Sequence, residues 1–124
     1  MPELPDVTVY LEALERHVAG RTLERIRIAS PFVLRSYDPP IDAAAGRTVK
    51  AVRRIGKRIV LDLGDALFVV LHLMIAGRLR WRPPAQKSVA GTVASFHFAH
   101  GTLFFTEAGT RKRASITLVR GEDA

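Results

Sequence analysis

A chain of 124 residues has the length of one domain and can bury a real core. Its composition, 48% apolar and 25% charged, excludes a disordered chain, and the absence of cysteine excludes disulfides and thiolate zinc sites. Nineteen Lys and Arg against twelve Asp and Glu leave a formal charge of +7, an excess that suits a phosphate-rich partner better than a neutral one.

The first predicted element is a helix over residues 6–19. Asp6 is a fair N-cap, Leu11, Leu14 and Val18 recur at i, i+3 and i+7, and Gly20 is a stop. Strands follow. Leu23, Ile26 and Ile28 alternate with charged residues over 22–29, and 31–46 reads as loop with a turn near Ala43–Ala45. After Val49 and Val52, Gly56-Lys57 turns the chain into Ile59, Leu61 and Leu63. Gly64-Asp65 leads to the apolar run 66–73, Leu79 and Trp81 mark another strand, and Val93–Phe98 pairs with Leu103–Thr106 across a turn at His100-Gly101. Ala114–Val119 is the last strand. One helix before about eight short strands predicts an α+β, mainly β, fold: a β-sandwich flanked by its N-terminal helix.

No apolar stretch approaches the ~20 residues of a membrane helix, and the Met-Pro-Glu start lacks the basic and apolar segments of a secretory signal. The His residues at 17, 72, 97 and 100 show no metal-site spacing. The expectation is a metal-free cytoplasmic domain.

The charge is local. Residues 47–58 carry six basic groups and no acid, no carboxylate occurs from Ala66 through Thr106 while Arg78, Arg80, Arg82 and Lys87 fall inside, and Arg111, Lys112 and Arg113 follow. A solvated basic surface is the plain reading; a footprint for a phosphate backbone is the better one. A membrane surface is disfavoured, because the basic groups sit in strand-like segments and not on an amphipathic helix.

The N-terminus carries chemistry. Once Met1 is removed, Pro2 is a secondary amine, and an α-amino group titrates at about 7.7–8.0, far below Lys. As free base it can attack an electrophilic carbon to form an iminium, with Glu3 beside it to move protons. Taken alone, Pro2 reads first as the start of a stiff N-terminal segment, as most Met-Pro starts do.

The opening MPELPDV, the turn VRRIGKRIVLDL and the segment VVLHLMIAGRLR resemble, in order and spacing, the formamidopyrimidine-DNA glycosylase and endonuclease VIII family, with Leu4 favouring the formamidopyrimidine branch. The resemblance implies base-excision repair: removal of an oxidised base and abasic-site lyase cleavage through a Pro Schiff base. Pro2 matches the nucleophile at the sugar C1′, Glu3 the proton donor, and Lys57 a hairpin Lys that contacts phosphate near the lesion and supports catalysis. His72 matches a phosphate-contacting His. VVLHLMIAGRLR matches a His-Leu-Gly-Met-Ser-Gly strand-loop, so Met74 or Ile75 takes the place of the Met that fills the gap left by the extruded base. Arg78, Arg111, Lys112 and Arg113 complete the expected DNA-binding set, on duplex DNA with a damaged base or abasic site.

The chain departs from the family pattern in three ways. Asp6 stands where Glu is usual. Thr106–Arg113 replaces Asp-Pro-Arg-Arg-Phe-Gly, keeping basic groups but losing the aromatic wedge that probes the opposite strand. The helix–two-turn–helix and zinc-finger regions of the family are absent, so residues 1–124 are expected to be the N-terminal catalytic domain. No cofactor is expected in this chain, any zinc belonging to the missing part, and a nucleoid-associated monomer is expected. Two readings compete. A non-catalytic damaged-DNA-binding fragment would bind without covalent trapping. A tautomerase with an N-terminal Pro base is more distant, since that Pro begins a strand and here a helix follows.

Overall fold

The computed structural model describes residues 4–36, 39–56, 58–74, 77–83, 89–108 and 113–121. Helix α1 spans Leu4–Val18, so Asp6 lies within it and is not its cap. Proline is compatible with a first helical turn, because the N–H it lacks has no partner there. Pro5 therefore opens the helix instead of delaying it. Leu14 and Val18 are buried and Leu11 packs against the same core, the single apolar face that the spacing predicts.

Ten strands follow among the described residues: β1 (Thr22–Leu23), β2 (Arg25–Ile28), β3 (Arg47–Thr48), β4 (Ala51–Ile55), β5 (Arg58–Asp62), β6 (Leu67–His72), β7 (Gly77–Arg82), β8 (Thr92–Phe98), β9 (Gly101–Glu107) and β10 (Ser115–Arg120). The count exceeds eight because the single strand expected over 22–29 divides at Glu24 and Arg47–Thr48 forms a short strand of its own before β4. β1 joins β3 in a two-residue ribbon, while β2 pairs with β8. The loop at 31–46 contains two 3-10 turns, Pro31–Val33 and Ile41–Ala44.

Two four-stranded antiparallel sheets, ordered β10-β6-β5-β4 and β2-β8-β9-β7, form the sandwich. Alternation turns Val52, Ile59, Leu61, Val69 and Leu71 of the first sheet toward Leu79, Phe96, Leu103 and Phe105 of the second. Each fully buried side chain of this kind stabilises the fold by roughly 1.5–3 kcal/mol. The mainly β fold, helix-flanked, is the one the sequence predicts.

α1 closes one side of the sandwich. It packs on β4 and β5, and near its C-terminal end the His17 ring stacks on Trp81 of β7 with centroids 4.7 Å apart. His100 donates from Nε2 to the His17 carbonyl at 2.6 Å. The β8–β9 turn is Ala99-His100, since Phe98 pairs directly with Gly101. Gly101 belongs to the strand: a Cβ there would collide with the Trp81 ring. Among the described residues no helix is long and apolar enough to cross a membrane.

Candidate nucleic-acid interface

Strand register assembles one end of the first sheet. Ile55 pairs with Arg58, Arg58 with His72, and His72 with Ser115, making one rung across all four strands. Their neighbours Ile59, Leu71 and Ile116 face the core, so the rung faces away from it. Ile55 is 50% exposed although apolar. His72 is half-buried, and burial first, then the Arg58 guanidinium, hold its pKa below the usual imidazole range. At neutral pH it is a neutral ring with one N–H to donate.

Both connections between the sheets on this side leave from the same end. The first, from β6 to β7, is closed by a hydrogen bond from the Gly77 N–H to the Leu73 carbonyl at 2.9 Å. The approach is so close that a Cβ on Gly77 would collide with that carbonyl oxygen. Within the loop Met74 has φ 58 and is half-buried. The left-handed region costs an L-residue roughly 1–2 kcal/mol and suits glycine. Met74 therefore occupies a glycine-type position, the one that Gly holds in a His-Leu-Gly-Met-Ser-Gly loop.

The second connection runs from β9 to β10. Glu107, only 2% exposed, ties its far side: Oε2 accepts from the backbone N–H groups of Arg113 at 2.9 Å and Ala114 at 2.8 Å. Arg113 itself is exposed at the entry to β10. Arg78 stands exposed at the start of β7, with Nη1 donating to the Gly77 carbonyl at 2.7 Å.

The structure thus brings His72 and the ends of both loops to one end of the sandwich. Pro2, Glu3, Lys57, Ile75, Arg111 and Lys112 lie outside the described residues. Sequence reasoning gave no role to Arg58, Ile55 or Glu107. Arg58 was one charge among six, and only strand pairing sets it beside His72. Glu107 did leave a signal, as the first carboxylate after the acid-free run and just before a basic cluster. Among the described residues no three His, Asp or Glu gather to hold a metal.

A helix-flanked β-sandwich with cations collected at one end defines a candidate nucleic-acid-binding domain. The family model of the formamidopyrimidine-DNA glycosylase N-terminal domain matches residues 1–115, and the chain belongs to that family. The formamidopyrimidine-DNA glycosylase of Desulfitobacterium hafniense (strain DSM 10664 / DCB-2) is 29% identical over 125 residues, covering 99% of this chain and 45% of its own length. That of Nocardioides sp. (strain ATCC BAA-499 / JS614) is 44% identical over 90 residues, covering 68% of this chain and 30% of its own. The chain thus spans less than half the length of these relatives. In fold it is similar to the Lactococcus lactis enzyme non-covalently bound to DNA containing an abasic site, with a TM-score of 0.86 at 22% identity over 96% of this chain and 45% of that one. A structure of MutM in complex with DNA carrying carbocyclic 8-oxo-G matches equally, at 0.86 and 22%, over the same shares.

Proposed function

We propose that this domain is the catalytic N-terminal half of a bifunctional DNA glycosylase and abasic-site lyase acting in base-excision repair on duplex DNA at the nucleoid. The observation that carries the reading is a family match that starts at Met1 and so includes Pro2 and Glu3. After Met1 removal the Pro2 nitrogen attacks C1′, the C1′–base bond breaks, and the departing base takes a proton. Glu3 protonates the sugar ring oxygen, which opens the ring and leaves an iminium between Pro2 and C1′. Loss of a C2′ proton then expels the 3′ phosphate, and a second elimination expels the 5′ phosphate. Lys57, His72, Arg78 and the cluster Arg111, Lys112 and Arg113 hold phosphates around the lesion. A neutral His72 suits this role as a donor, with Arg58 supplying charge beside it. Ile75 fills the vacated stack, because Met74 takes the glycine-type position next to it.

Borohydride trapping on an abasic-site duplex tests this. Reduction of the iminium leaves a covalent protein–DNA adduct. The adduct is expected with free Pro2 and lost when one extra residue precedes Pro2 and turns its nitrogen into an amide. Ile75→Ala is expected to weaken abasic-site binding about tenfold, the worth of one buried aliphatic side chain, and Met74→Gly to leave it intact. Salt-sensitive binding with no adduct would instead favour the non-catalytic fragment.

A further inference from the structure

On its outer side the second sheet carries arginines along both edge strands, Arg25 and Arg27 on β2 and Arg80 and Arg82 on β7, while Ser95 and Phe104 between them are buried. Register fixes its rungs: Arg82, Thr102, His97 and Arg25 form one line across the four strands, and Arg80, Phe104, Ser95 and Arg27 the next. Each rung has an arginine at both edges and uncharged groups between. At ~4.8 Å per strand gap the two arginine rows stand ~14 Å apart, and within a row successive arginines are ~6.8 Å apart. The ion pair of the described residues, Arg47–Asp65, involves none of Arg25, Arg27, Arg80 or Arg82.

Two clefts follow the rows. One of about 440 Å³ is lined by Arg78, Arg80 and Arg82. The other, about 270 Å³, is lined by Arg27 and Ser95, and both share Val89 and Gly91. His97 registers the local potential. After burial, Arg25 and Arg27 are what hold it below the usual imidazole pKa, against the opposing pull of Glu24. The β7 row also begins beside the 73–77 loop, so the face continues the interface at the sandwich end.

We propose that this face is a second contact surface for the phosphate backbone of duplex DNA, leading outward from the lesion site; it rests on the DNA reading above. Guanidinium groups bind phosphate oxygens in a fork without reading sequence. The face offers little of the stacking that single strands use, since its Phe104 ring is 5% exposed.

The test is a salt titration of binding to an undamaged duplex of about 30 base pairs, ~100 Å long. Replacing Arg25, Arg27, Arg80 and Arg82 together by Gln is expected to lower the slope of log affinity against log salt by about 3–4, near one per arginine. An unchanged slope in that variant, with a reduced slope in Arg58→Gln/His72→Ala, overturns this inference and leaves the site reading standing. No salt-dependent binding by the unaltered chain overturns both. A titration of the unaltered chain, needing no variant, gives a second readout. Duplex DNA is expected to raise the His97 pKa, followed by NMR, as phosphates offset Arg25 and Arg27. An unmoved His97 under saturating DNA rejects the face.

Discussion

Glu107 shows how a single carboxylate can place a loop that carries the opposite charge. Its Oε2 binds two successive backbone N–H groups, each bond to a charged acceptor worth roughly 1.5–3 kcal/mol. Glu107→Ala is therefore expected to destabilise the domain by about 3–6 kcal/mol in urea unfolding, while Glu107→Gln, which keeps an acceptor oxygen, loses less. A loss below ~0.5 kcal/mol, the range of a surface substitution, would show that the loop is held by other means. Arg58 and His72 make the complementary case. Neither is informative alone, yet strand pairing makes each the other's neighbour.

At the scale of elements, Leu73 and Gly77 bracket the closest backbone approach at any described glycine. The 73–77 loop links the two sheets through one backbone hydrogen bond and requires glycine at its exit. Gly77→Ala forces the Leu73 carbonyl to move, and overpacking of this kind costs about 1–3 kcal/mol. A lower melting temperature together with weaker abasic-site binding is expected, since the loop carries Ile75. A variant that melts and binds like the parent would mean that the loop can open freely. The loop was legible in sequence as a segment between two strands, and its resemblance pointed to a wedge. Its backbone was not legible: a left-handed Met74 follows from the closure between Leu73 and Gly77, which no local preference of Met announces. The helix start was misplaced for a related reason, because Pro5 reads as a breaker until it stands in a first turn.

Across the whole molecule, burial and neighbouring cations lower three histidines, His17, His72 and His97, each through burial first. The sign follows from linkage. Below the unfolded value of 6.5 the unfolded chain binds more protons than the folded one, so stability falls with pH in that window and is regained above it. The rising positive charge of an already basic chain acts in the same direction. Melting temperature is expected to be level above pH 7 and to fall as pH drops through 6.5 toward 5. A flat profile across that range would mean that the histidines titrate alike in both states.

The sequence by itself determined the sandwich, its helix and most strand positions, because period-two and helical spacing of apolar residues is a local property that burial rewards directly. It also supplied the N-terminal Pro-Glu pair and the family resemblance. Only the tertiary structure decided that Arg58 stands against His72, that Glu107 reaches Arg113 and Ala114, and that Arg25 and Arg27 face the same way as Arg80 and Arg82. Those relations join residues far apart in the chain or paired across strands. They depend on register and strand order, which set the neighbours of every polar side chain and which no single segment encodes.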